Sequence, residues 1–213
     1  LTAMAREREP MAVEYYSLAL ADDVPCHLEG EYNRANVAAA VAVGRYFGIA
    51  EERILHAVDS YVPTNNRSQR MLTERNTLIL DCYNANPQAM EAALEILADT
   101  ACRRRVAVLG DMGELGPISH DAHLEVGRVT ARLGLDAVIA IGPKSAAIAE
   151  TAGPRALHFD TVQQALPALR EQLTPGTAML VKASHAMEFG KIVNELESTT
   201  YDRHQCDRSG QIL

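Results

Sequence analysis

Apolar and polar positions along this chain follow two different rhythms, and the change falls near Pro63. Beyond it, short apolar runs alternate with longer amphipathic stretches. Asn76 to Leu80 is a buried-strand run that stops at Asp81, and helical spacing resumes over 87–99. Pro87 suits a first helical position, where its missing N–H costs nothing, and Asn86 can cap. The alternation continues with a strand at 105–110, a helix at 119–133, a strand at 137–141 and a helix at 144–152. A short strand at 157–159, a helix at 161–173, a strand at 178–182 and a helix at 185–196 complete it. Pro167, inside the penultimate helix, predicts a kink or a late start. Strands and helices alternating at these lengths predict right-handed βαβ units. The fold class is therefore α/β, a mostly parallel sheet with helices on both faces.

Residues 1–62 read differently. The first ten are charged and irregular, 11–20 predict a strand, Asp22-Asp23 a turn, and a second extended piece leads to Gly30. From Asn33 the spacing predicts a helix capped by Asn33 or Asn36 and stopped at Gly48. Its Ala- and Val-rich composition implies burial nearly all round. A second, amphipathic helix covers 51–61. Two strands and two helices do not complete an α/β domain, so 1–62 is expected to be the end of a larger one. Residues 198–213 are polar, lack periodicity and predict an irregular tail.

Composition narrows the function classes. At 213 residues, 47% hydrophobic and 23% charged, the chain can bury a sizeable core. A net charge of −8 and a pI near 5.4 argue against general affinity for nucleic acid or anionic membrane. No apolar run approaches the ~20 residues of a spanning helix. The four cysteines show no CxxC spacing, which predicts reduced thiols in a cytoplasmic protein and no metal site.

Candidate chemistry gathers at strand ends, where open α/β sheets bind ligands. Asp81 could accept from ribose hydroxyls or cap its turn. Arg67 could fork a phosphate or be an exposed loop arginine. Gly110 to Gly116 (GDMGELG) offers Asp111 and Glu114 to an ammonium group or metal, or forms a solvated acidic turn; it is not a GxGxxG fingerprint. Lys182 to His185 open a helix where a carboxylate or phosphate could sit, or where Ser184 simply caps. Ser119 and His123, four apart on one helical face, read as a surface pair. No GxxxxGK[ST] occurs, so these residues contain no phosphate cradle of that kind.

Five segments in order resemble the Mur ligases: GEYNRANVAAAVAVGRYFGI (30–49), NNRSQ (65–69), LILDCYNANPQAMEAALEIL (78–97), VLGDMGELG (108–116) with SHDAHLEVG (119–127), and LVKAS (180–184). YNANP and LGDMxELG resemble the branch that adds D-alanyl-D-alanine to UDP-N-acetylmuramoyl-tripeptide. That family has a UDP-sugar domain, a central ATPase with a P-loop, and a Rossmann-like C-terminal domain. The resemblance implies that 1–62 end the central domain and 63–197 form the C-terminal one. It implies ATP as cosubstrate, with Asn33 and Asn36 near the adenine, Arg67 at the phosphates as the catalytic contact, and Asp81 at the ribose. Asn84, Asn86, Asp111, Glu114, Lys182 and Ser184 would help place the D-alanyl-D-alanine. Mg²⁺ ligands, P-loop and modified lysine are expected upstream, in N-terminal and central domains that would be this chain's partners. Tyr32 and His185 depart from the family's usual histidine and arginine. The implied chemistry is amide formation through an acyl phosphate. Charged hydrogen bonds supply ~1.5–3 kcal/mol each and association costs ~4–15 kcal/mol. The chain alone is thus expected to bind ATP with millimolar or weaker affinity and to be inactive. The alternatives are another Mur-type or folylpolyglutamate-type ligase, or a non-catalytic Rossmann-like binding domain.

Overall fold

The computed structural model describes residues 13–28, 30–63, 66–73 and 75–201, and divides into two compact units, Leu1–Val62 and Pro63–Leu213. The expected irregular first residues and most of the expected tail lie outside the described residues. In the first unit a 3₁₀ turn, Leu18–Ala21, precedes α1 (Glu31–Tyr46) and α2 (Glu51–Asp59). The strand expected over 11–20 is not there: 13–17 are irregular and run into the 3₁₀ turn. A strand needs a neighbour for its backbone groups, and among the described residues this unit holds none. Gly30, at φ 92°, precedes the first turn of α1, and Asn33 N–H bonds Gly30 O at 3.0 Å. Neither Asn33 nor Asn36 is therefore the cap; both lie inside the helix.

Burial of α1 is one-sided rather than all round. Asn33, Val37, Ala38 and Val41 face inward, whereas Val43, Tyr46 and Phe47 (73% exposed) face outward. The apolar cluster they join is small: Val37, Val41 and Ile54, with Leu20, Val24, Leu28 and Val58 against it. One 3₁₀ turn and one short helix cannot cover a whole helix surface.

The second unit is a six-stranded sheet of β1 (Gln69–Leu72), β2 (Thr77–Asp81), β3 (Arg104–Gly110), β4 (Ala137–Ile141), β5 (Ala156–Phe159) and β6 (Thr177–Lys182). Its order is β1-β2-β6-β3-β4-β5, and every pairing is parallel except β1 with β2. The edge strand β1 is absent from the pattern reading, because QRML carries too few apolar positions to announce a strand. The helices are α3 (Pro87–Asp99), α4 (Ser119–Leu133), α5 (Ala146–Thr151), α6 (Val162–Gln172) and α7 (Gly190–Tyr201).

Strand residues alternate between two cores. Ile79, Ala107, Leu109, Ala140 and Leu180 pack with α3, α4 and α5, including Met90, Leu94, Val126 and Ile148. Leu80, Val106, Val108, Ile139 and Val181 pack with α6 and α7, including Leu169, Phe189 and Ile192. This period of two on a sheet covered on both faces makes its central strands apolar runs. α3 carries the chain from β2 past β6 to β3, and α6 returns it from the β5 edge to β6. Adjacent strands β2 and β6 therefore send the chain to opposite faces, which opens a crevice beyond their carboxyl ends.

Two helix expectations need correction. α6 starts at Val162 behind a Thr161/Gln164 capping box and runs through Pro167, so there is no late start. After β6 the chain makes a 3₁₀ turn, His185–Met187, then passes Glu188 at φ 51° before α7, which continues to Tyr201. The break lets Phe189, fully buried, drop into the core against Gly110. Ser184 makes no capping bond.

Candidate nucleotide and amine site

Parallel pairing sets Asp81 beside Lys182 in register at the carboxyl ends of β2 and β6. Their side chains form an ion pair, and Lys182 Nζ also donates to the Asn84 carbonyl at 2.9 Å. The lysine side chain is 1% exposed and the aspartate 14%. A buried charge must be paired and hydrogen-bonded to persist, and this one is both. Asp81 Oδ1 further accepts the Ser68 N–H at 3.3 Å, which draws the 66–68 loop over the strand end. Cys82 N–H donates to Asn66 O at 2.8 Å, a second tie to that loop.

Those ties bring Arg67 to the crevice. Asn66 and Ser68 both adopt positive φ, 55° and 47°, so the chain turns sharply on either side of it. The exposed guanidinium lies over the Tyr83 ring, 3.2 Å from its centroid, as a cation–π contact. The far neighbour of Tyr83 is His185, at 5.5 Å between centroids. Arg67, Asp81, Tyr83, Lys182 and His185 thus gather in one place, from loops far apart in sequence.

The acidic loop after β3 divides by role. Asp111 is buried, and its Oδ1 accepts from Ser145 Oγ (2.7 Å), Ser145 N (2.8 Å) and Lys144 N (3.1 Å). Its carbonyl accepts from Ser184 N at 3.2 Å. It therefore ties three strand-end loops together, its Oδ1 engaged by the 144–145 backbone and the Ser145 hydroxyl. Glu114 is exposed, at φ 59°, on the tip of the same loop. Gly113 stands beside Ser184, whose Cβ would be 3.8 Å from an added Cβ there.

His123 is another correction. It is fully buried rather than a surface partner of Ser119. Nε2 accepts from Met112 N–H at 3.0 Å, so the other nitrogen carries the proton and Nδ1–H donates to Ser119 O at 2.6 Å. The imidazole holds the acidic loop to α4. The Lys182 ammonium is likewise buried, its bonds going to Asp81 and the Asn84 carbonyl. Asn86 accepts the Ala89 N–H at 2.9 Å as the cap of α3, while Asn84 is exposed beside it. In the first unit Asn36 Nδ2 donates to Asn33 Oδ1 at 3.2 Å, one helical turn apart. Tyr83, Ser68 and Ser145 were missed by sequence reasoning; YN in YNANP draws the eye to Asn, and backbone ties leave no motif.

Among the described residues no three His, Cys, Asp or Glu side chains group as a metal site. No described helix is long and apolar enough to cross a membrane.

Residues 66–185 match the family model described as Mur ligase, glutamate ligase domain. The UDP-N-acetylmuramoyl-tripeptide–D-alanyl-D-alanine ligase of Bacillus subtilis is 34% identical over 174 residues, 78% of this chain and 38% of that protein. Its namesake from Escherichia coli is 32% identical, covering 82% and 39%. A crystal structure of MurF from Acinetobacter baumannii superposes with a TM-score of 0.76 at 30% identity, over 81% of this chain and 39% of that one. Mycobacterium tuberculosis folylpolyglutamate synthase, complexed with ADP, shares the fold at a TM-score of 0.60 and 20% identity. The chain thus spans about 38% of the length of the curated relatives it matches.

Proposed function

We propose, on the premise that this chain belongs to the Mur ligase family, that it is the C-terminal portion of an ATP-dependent amide ligase. The parent reaction would join D-alanyl-D-alanine to UDP-N-acetylmuramoyl-tripeptide, a step of peptidoglycan precursor synthesis in the cytoplasm. The observation that carries this reading is the convergence of Arg67, Asp81 and the 82–86 loop on one strand-end crevice.

In the proposed reaction the tripeptide carboxylate takes the γ-phosphoryl group of ATP, releasing ADP. The dipeptide amine then attacks the acyl carbon, the C–O bond to phosphate breaks, and phosphate and a proton leave. A carboxylate is a poor electrophile, and phosphorylation supplies its leaving group. Catalysis is mostly orientation and charge stabilisation. Arg67 offers a planar fork to phosphate oxygens and is exposed to do so. Asp81 retains acceptor capacity for ribose hydroxyls beyond its bonds to Lys182 and Ser68. Glu114 suits the cationic or hydrogen-bonding end of the incoming amine, and Ser184 and Asn84 line the same loops. Asn33 and Asn36 remain assigned to the adenine by resemblance, and Lys182, Asp111 and Asn86 shape the loops that bind. The magnesium ligands are assigned, by resemblance, to the central domain of the parent.

The test is the complete polypeptide from the same reading frame. ADP formation should require both UDP-N-acetylmuramoyl-tripeptide and D-alanyl-D-alanine, and Arg67→Ala should cost at least tenfold in kcat/KM. Turnover with a single amino acid instead of the dipeptide, or with a folate instead of the UDP-sugar tripeptide, overturns the substrate assignment. Unchanged turnover in the variant overturns the role of Arg67 and favours a binding module.

A further inference from the structure

We infer that Lys182 is a positioning residue for nucleotide binding: its buried ammonium fixes the Asp81 carboxylate and the Asn84 carbonyl, and through them the edge that meets the ribose. The ribose contact itself belongs to the reading above, on which this inference rests. In place of a lysine that touches substrate, the geometry gives one that acts through another residue.

The argument begins with register. Asp81 and Lys182 are paired neighbours on parallel strands, so their side chains emerge on the same face, within reach of one another. At 1% exposure the lysine side chain has no surface for a ligand, and its two bonds both end on the β2–α3 connection. One goes to the residue that ends the strand, the other to a backbone carbonyl three residues on. One cation thereby pins the strand end at Asp81 and the 82–86 segment at Asn84. Without that cation Asp81 would keep the longer Ser68 contact, 3.3 Å, to set its rotamer. The Asn84 carbonyl would lose its ammonium donor, and the loop bearing Tyr83, the platform under Arg67, would lose an anchor. An aspartate that must present lone pairs to a hydroxyl works best when its other contacts already hold it in place.

The test uses the 213-residue chain and two probes, MgATP and Mg-2′,3′-dideoxy-ATP, titrated at millimolar concentration and followed by ¹H–¹⁵N NMR. The wild-type chain should prefer the ribose hydroxyls by about tenfold, the low end for a charged hydrogen bond. In Lys182→Met the ratio should fall to about twofold or less. A merely structural lysine would weaken both nucleotides alike and leave the ratio unchanged, and that result overturns the inference. A wild-type chain with no preference overturns the Asp81–ribose assignment itself, so the two failures are distinguishable. Should the variant not fold, the wild-type Lys182 ammonium resonance decides. MgATP should shift it and the dideoxy nucleotide should not; equal or absent shifts overturn the inference.

Discussion

Cys82 illustrates how much a single position can owe to its neighbours. Its thiol donates to Val181 O at 3.3 Å, beside Asp81. Burial, reinforced by the Asp81 charge, pushes it up to about 12 from an ordinary 9.0. A thiolate is the reactive form, so Cys82 should resist alkylation at pH 8 while half-buried Cys26 and Cys102 label; mass spectrometry of the labelled peptides checks this. The linkage has a definite sign. Between pH 9 and about 12 the folded chain keeps a proton that the unfolded chain releases, so stability is fully present below that window and falls through it. Denaturant midpoints for Cys82→Ala should decline less steeply above pH 9 than those of the native sequence. Equal slopes would refute the assignment. Nothing in the spacing of the cysteines indicates this behaviour, since it depends on the strand register that sets β2 beside β6.

At the scale of elements, the crevice depends on close approach where β3 ends. A Cβ on Gly110 would stand 2.6 Å from both Ala183 Cβ and Phe189 Cζ. Gly110 therefore lets the β3 end pass beneath the segment between β6 and α7. Gly110→Ala should destabilise by about 1–3 kcal/mol, the usual cost of overpacking, measured by urea denaturation. Combining it with Phe189→Leu should cost less than the two single changes added together, because the smaller side chain relieves the clash. The pattern of apolar runs anticipated α3, α4 and β4 to within a residue, because each is long or wholly apolar. It missed β1, whose existence depends on a partner strand and on the Thr73–Asn76 turn that returns the chain to β2. It also read 185–196 as one helix, since nothing local shows that Phe189 must be lowered into a core.

For the molecule as a whole, the two units differ in how they are held. The second has a sheet packed on both faces, with 0% exposure across Val106, Val108, Leu180 and Val181. The first rests on Val37, Val41 and Ile54 with partly buried neighbours. Local opening is easiest where few apolar groups are buried. Hydrogen exchange of α1 and α2 amides should therefore be at least about a hundredfold faster than that of β3 and β6, as mass-resolved exchange would show. Comparable protection would mean that the first unit is sustained by more than its own cluster.

The alternation of strands and helices beyond Pro63 and the strand-end placement of Asp81 and Glu114 were determined by sequence alone. Periodicity reports which face of an element is buried, and turn residues report where it ends. Which carboxylate stays exposed was decided only in three dimensions: Asp111 turned to the Ser145 hydroxyl and amide, Glu114 to solvent. So was the partner of Lys182, a residue 101 positions away. Burial, charge pairing and backbone donors belong to neighbours that the chain acquires only on folding, and no local spacing records them.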